Sequence, residues 1–182
     1  VPTGGGFAKS LKMDCTTADA SPSATDLLYI DYRIEAQNLQ FLKFGSSDAE
    51  TITVAFWVKS FQTGDYQLTL YDWDNDKLIS AVYTIDSSAT WEKKILTFVG
   101  NTAANFAVDN GLGLGIWFML DSGSNYTSGA LRSSWTTYAG GDVNPGSTIN
   151  LSDNTNNYWQ ITGLQVEAGS YTSSTIPPFQ HE

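Results

Sequence analysis

The 182-residue chain carries 19 acidic against 9 basic residues, a net charge of −10, so nucleic acid and anionic membrane, which both need a basic patch, are poor partners. Its single cysteine, Cys15, excludes an intrachain disulfide. Hydrophobic content of 41%, with 13% aromatic residues, excludes wholesale disorder.

The length fits one domain over residues 1–182, large enough to bury roughly 70% of its extended surface without staples. Charged residues make up only 15%. A surface wetted by hydroxyls and amides instead is common in extracellular and virion β proteins. No 18-residue apolar run and no signal-peptide pattern is present. The chain opens on Val1 rather than Met, which suggests a piece of a longer protein.

Residues 1–6 (VPTGGG) read as a flexible entry, after which Phe7, Lys9, Leu11 and Met13 alternate as a first strand. Residues 16–26 (TTADASPSATD) form a loop. Leu28, Ile30, Tyr32 and Ile34 share the inner face of a second strand, with Tyr29, Asp31, Arg33 and Glu35 opposite. Residues 36–44 (AQNLQFLKF) predict one short helical turn, ended by Gly45 at positive φ. In residues 51–60 (TITVAFWVKS), Ile52, Val54, Phe56 and Val58 point one way, while Ala55 and Trp57 keep the other face partly apolar.

Residues 66–71 and 79–85 make a hairpin around the loop 72–77. Residues 91–99 (WEKKILTFV) predict a strand entering the core. In residues 111–120, Leu112, Leu114, Ile116, Phe118 and Leu120 share a face. Gly111, Gly113 and Gly115 opposite leave room for another layer or a ligand. Residues 121–147 form a long polar loop, which suggests binding or assembly. In the last strand, 158–167, strict alternation puts Tyr158, Gln160, Thr162, Leu164 and Val166 on one face and Trp159, Ile161, Gly163, Gln165 and Glu167 on the other. Residues 168–182 read as an extended tail. About eight strands with almost no helix predict an all-β sandwich of two antiparallel sheets, and the absence of repeats excludes a propeller or β-helix.

Several segments together resemble a family of virion proteins from marine and aquatic bacteriophages, whose jelly-roll module is similar to carbohydrate-binding modules. The matching stretches are 32–42 (YRIEAQNLQFL), 51–60, 64–70 (GDYQLTL), 90–96 (TWEKKIL), 109–114 (DNGLGL), 158–167 (YWQITGLQVE) and 178–181 (PFQH). They occur in the family's order through most of the chain. The resemblance implies a jelly roll at the virion surface, in a tail fibre, tail-associated protein or capsid decoration. It also implies an oligomer, a homotrimer being one form, in contact with other virion proteins; the family fixes neither the ligand nor the place on the virion, and a host glycan is the ligand to test. The family module has a further N-terminal strand region; its absence before Val1 predicts an unpaired sheet edge and an isolated chain that self-associates.

For catalysis, the only histidine, His181, is penultimate, so neither a Ser-His-Asp nor a Cys-His arrangement has a base. Glu35, Glu92 and Glu167 are the carboxylates a small glycosidase would need, but strand alternation reads each as solvent-facing. The expectation is a protein without enzymatic activity. For metal, Asp72, Asp74 and Asp76 alternate as calcium-loop oxygens do, but an EF-hand would need Gly and Glu where Lys77 and Tyr83 stand. The competing reading is a solvated acidic hairpin tip; a structural calcium ion held by backbone carbonyls is a separate option.

For glycan or partner binding, the available rings are Trp117, Tyr126, Trp135, Tyr138 and Trp73, with Asn125, Asp142 and Asn144 nearby in sequence. Trp135 and Tyr138, in the polar loop, are expected to be exposed, either for a sugar or for a subunit interface. Trp57, Trp91 and Trp159 are expected to pack inside, and Trp117 is open between the two roles. The leading expectation is a virion structural protein; the alternative is a carbohydrate-binding module of a secreted glycan-active enzyme.

Overall fold

A computed structural model describes residues 1–180, so His181 and the end of the 178–181 match lie outside the described residues. Period-two alternation builds nine strands among the described residues. They are β1 (Leu11–Asp14), β2 (Leu27–Glu35), β3 (Ile52–Ser60), β4 (Gly64–Asp72), β5 (Lys77–Ile85), β6 (Glu92–Phe98), β7 (Leu112–Ser122), β8 (Thr136–Thr137) and β9 (Tyr158–Ala168). One sheet has the order β1-β9-β3-β6 and the other β2-β7-β4-β5-β8. The antiparallel pairs nest: β4 with β5, β3 with β6, β2 with β7 and β1 with β9. A long ribbon rolled over itself in this way is the jelly roll, and the two-residue β8 is a small addition at one edge.

The inner faces supply one core. From the five-stranded sheet come Tyr66, Leu68, Leu70, Leu114, Ile116, Phe118 and Leu120; from the other come Ile52, Val54, Phe56, Val58 and Trp159. Phe56 sits at the junction, edge-on to Phe118 and Tyr83 at 5.0 and 5.1 Å between ring centroids. Trp159 is fully buried and donates its indole N–H to Tyr83 Oη at 3.2 Å. Each such side chain contributes about 1.5–3 kcal/mol by leaving water.

The expected helical turn is a 3-10 segment, Ala36–Leu42, which buries Ala36, Leu39 and Leu42 and ends at Lys43 and Gly45, both at positive φ. Three further 3-10 turns, of three residues each, lie in the loops. Residues 172–176 close a tight turn, with Thr172 O accepting from Thr175 N and Ile176 N.

Strict alternation fails in β9. Ala55 pairs with Gln165 but Trp57 pairs with Thr162, so β9 carries one residue more than β3 between those points. The bulge centres on Gly163 at φ +59°, a conformation glycine adopts without strain. Trp159 and Ile161 therefore face the core before the bulge, and Leu164, Val166 and Ala168 after it. Two of the tryptophans expected inside are also elsewhere. Trp57 and Trp91 are half-buried and belong to neither apolar cluster; Lys59 Nζ lies over the Trp91 ring at 5.4 Å.

Candidate functional site

The long loop between β7 and β9 folds back over the outer face of the five-stranded sheet. Its backbone is tied to that sheet where Ser80 N donates to Arg132 O (2.7 Å), Tyr138 N to Asp76 O (2.9 Å) and Thr148 N to Asp65 O (2.9 Å). Gln67 and Thr69, outward-facing on β4, donate to Val143 O at 2.7 and 3.0 Å. The loop thereby roofs the face around Gln67 and Thr69, and its Tyr138 reaches on to Tyr71.

A second apolar cluster lies between this loop and the sheet. Trp117, Met119 and Val143 form its buried part, and Tyr29, Tyr71, Tyr126 and Tyr138 pack around them. Tyr71 stacks on Trp117 with centroids 4.7 Å apart and planes 25° apart. Tyr138 and Trp73 meet Tyr71 edge-on at 5.5 and 4.8 Å. Trp117 is 6% exposed, whereas Trp73, just beyond β4, is 37% exposed. Arg33 leans over Trp73, its Cζ 5.5 Å from the ring centroid, and pairs with Asp31 at 2.5 Å.

Gly113 and Gly115 serve different ends. A β-carbon on Gly113 would lie 2.6 Å from Ala36 Cα, so this glycine admits the 3-10 segment. A β-carbon on Gly115 would lie 2.8 Å from Trp117 Nε1, 3.0 Å from Trp73 Nε1 and 3.1 Å from Asp31 Oδ1. The Trp117, Trp73 and Asp31 side chains thus already fill the space over this Cα. Trp117 Nε1 and Asp31 Oδ1 are buried and make no hydrogen bond. Buried polar groups rarely stay unpaired, so these two stand out.

Of the rings expected from sequence, Trp117, Tyr126 and Tyr138 come together here. Trp135 does not: its N–H donates to Val99 O at 2.7 Å and its ring meets Phe44 edge-on at 5.6 Å, which anchors the loop to the main core. Asp142 and Asn144 are buried loop braces. Arg132 Nε donates to Asp142 Oδ2 at 2.8 Å, and Asn144 Nδ2 donates to Ser122 Oγ at 2.7 Å. Asp31, Arg33, Tyr29 and Tyr71 were missed as site residues. Their one sequence signal is that the outward positions of β2 lie beside a glycine-rich β7 face.

The calcium loop is corrected. Asp72 is buried and caps its own turn, accepting from Asp74 N, Asn75 N and Asn75 Nδ2 at 2.9–3.1 Å. Burial raises its pKa against those hydrogen bonds. Asp74 accepts from Ala107 N, and Asp76 from Tyr71 Oη. Among the described residues no group of three or more His, Cys, Asp or Glu side chains could hold a metal ion. The tip is a turn hydrogen-bonded through the buried Asp72, with Asp74 and Asp76 exposed to solvent. Glu92, one of the three glycosidase candidates, is also committed. Burial pushes its carboxyl up, but Lys94 at 2.6 Å and the N–H groups of Ser87 and Asp86 outweigh that and hold it below the ordinary range.

A cleft of about 610 Å³ opens at the loop end of the sandwich, between Phe61, Gln62, Asp121 and residues 144–150. Much of its polar lining is already paired internally. Ser147 Oγ receives Gln67 N, Thr148 Oγ1 receives Asp65 N, and Asp153 receives Gln62 and Asn157. Gln62 Oε1 in this cleft is buried and makes no hydrogen bond, and the same holds for Asp31 Oδ1 and Trp117 Nε1 on the ring-lined face. Among the described residues no helix is long and apolar enough to cross a membrane. No family model, curated protein or solved structure matches the chain.

Proposed function

We propose that this chain is a non-enzymatic β-sandwich displayed at a virion surface, which assembles with copies of itself and with other virion proteins and recognises a glycan through the outer face of its five-stranded sheet. The carrying observation is the exposed Trp73 ring beside the Tyr71 and Trp117 stack, with Asp31 and Arg33 at its border. A sugar ring is apolar on its faces and hydroxylated at its rim, so it asks for this mixture of flat ring and polar side chain. The virion setting rests on the ordered sequence resemblance.

A glycan array probed with the chain tests the reading. Binding is expected, lost in Trp73→Ala and retained in Trp135→Ala, whose ring faces the main core. Silence across the array, with melting behaviour intact, would leave a structural subunit without a sugar site.

A further inference from the structure

We infer that two copies of this chain join edge to edge through β2, in a two-fold pairing that merges their five-stranded sheets; this rests on the self-assembly part of the proposed function. Main-chain geometry locates the edge. Trp73 N donates to Gly113 O, so by alternation Gly113, Gly115 and Trp117 turn their N–H and C=O toward β4. Leu114 and Ile116 turn theirs toward β2, where they oppose Ile34 and Tyr32. Because β2 is the outermost strand of its sheet, Asp31 and Arg33 are left with N–H and C=O directed off the edge. Among the described residues no main-chain hydrogen bond from another segment meets them.

Edge strands are ordinarily blunted by proline, lysine or a bulge. The register shifts of β2 fall at Leu28/Tyr29 and Ile34/Glu35, and residues 29–34 run between them with none of the three. The two charges in that run, Asp31 and Arg33, pair with each other. In the other sheet β1 is only four residues long and pairs with Tyr158–Ile161 alone. Beyond it a groove of about 680 Å³ opens alongside β2, lined by Tyr32, Ile34, Leu164, Val166, Pro177 and Phe179. Tyr32 shares the core-side face of β2 with Ile30 and Ile34, yet it is 50% exposed.

Charge selects the occupant and the register. Antiparallel pairing matches outward residues with outward residues. At the centre of β2 that sets Asp31 opposite Asp31, Arg33 opposite Arg33, or Asp31 opposite Arg33 of the second copy. Like charges directly opposite destabilise a sheet, whereas the mixed register alternates carboxylate and guanidinium around the axis. The same register lays Tyr32 against Tyr32 on the axis and Ile30 against Ile34, apolar beside apolar. A second β2 thus complements this edge on both faces. The axis stands normal to the merged sheet, so both ring-lined outer faces look the same way. Two weak sugar contacts displayed side by side reinforce each other.

Sedimentation of the unmodified chain at about 50 µM is expected to show a dimer. Arg33→Asp, which sets acid against acid across the axis, is expected to raise the dissociation constant about tenfold or more. Exchanging the pair, Asp31→Arg with Arg33→Asp, keeps opposite charges facing and is expected to restore the dimer. Tyr32→Cys in a Cys15→Ser chain reads the register. Its two copies would lie about 4.5 Å apart between Cα atoms, within reach of a disulfide. It is expected to cross-link on oxidation, while the exposed Glu35→Cys, remote from its own copy in this register, is not. The cysteine pair decides the matter if a charge variant fails to fold. A chain monomeric at that concentration overturns the pairing and the self-assembly reading together. An oligomer unmoved by Arg33→Asp, with no cross-link at position 32, overturns the β2 pairing and leaves self-assembly standing. A trimer does the same.

Discussion

Arg132 clamps Asp142 from two directions: Nε reaches Oδ2 at 2.8 Å and Nη2 reaches Oδ1 at 3.2 Å, while Ala130 N adds a third bond at 2.8 Å. Asp142 is buried and Arg132 half-exposed, so the pair pins the loop roof to itself from the solvent side. Gly129 fits against the same carboxylate because it has no β-carbon. The roof over Gln67 and Thr69, and with it the border of the ring-lined face, depends on this clamp.

The Arg132 hydrogen bond, with the Ala130 N–H, outweighs burial and holds the Asp142 carboxyl below the usual carboxylate range. A folded-state pKa below the unfolded one gives stability that is present above the unfolded value, about 3.9, and is lost as pH falls through the folded one. Asp142→Ala is therefore expected to lower the melting temperature by roughly 5 °C at pH 7, and the difference from the parent chain to shrink below about pH 4. A difference that stays constant down to pH 2 would count against the clamp. Calorimetry across pH reads both.

Burial pushes the Tyr66 hydroxyl up to about 12, against a hydrogen bond with Ser60 Oγ at 2.7 Å that lowers it. Tyr83, beneath Trp159, is raised too, again chiefly by burial. A raised folded pKa means stability that is full below the unfolded value, about 10, and declines as pH rises through the folded one. Alkaline unfolding is expected to begin above about pH 10. In an ultraviolet phenolate titration these two tyrosines should ionise together with loss of the fold. Independent ionisation near pH 10 in a chain that stays folded would refute it.

Gly163→Ala places a side chain at φ +59° and drives it into the Phe7 ring. The expected cost is about 1–3 kcal/mol in urea unfolding. Phe7→Ala in the same chain should relieve the steric part and leave the backbone part, so the double variant is less destabilised than the sum. Strict additivity would show that the ring and the bulge are uncoupled.

Calcium is expected to do little. The Asp72 turn is held by its own N–H groups, so melting curves in a chelator and in millimolar calcium should superimpose. Asp72→Asn is expected to stay within about 1 kcal/mol of the parent, whereas Asp72→Ala, which leaves those donors unmet, should cost about 1–3 kcal/mol. A calcium-dependent rise of several degrees would point to an ion site elsewhere in the loops.

The strands were legible because alternation survives wherever one face is buried: eight of the nine described strands lie close to the stretches it marks, and the two-residue β8 inside the long loop is the exception. The face assignment after Gly163 was not, since one extra residue reverses every side chain beyond it. Trp135 misled for a related reason: a ring in a polar loop reads as exposed, but this loop carries it back to Phe44 and Val99. Asp31 and Arg33 look like ordinary solvent-facing charges of an edge strand. Only the pairing of β2 with β7 puts them beside Gly115 and Trp117.

The bulge on β9 also decides where the two ends of the chain meet. Phe7 rests on Gly163, Phe179 meets Phe7 edge-on at 5.0 Å, and Pro177 O receives Gln165 Nε2 at 3.1 Å. Phe7 and the 177–179 segment lie against β9 of the four-stranded sheet, while Trp73 follows β4 of the five-stranded one. The molecule thus has a back and a front. Phe7 and Phe179, near the two ends of the described residues, thus pack by the sheet that does not carry Tyr71 and Trp117.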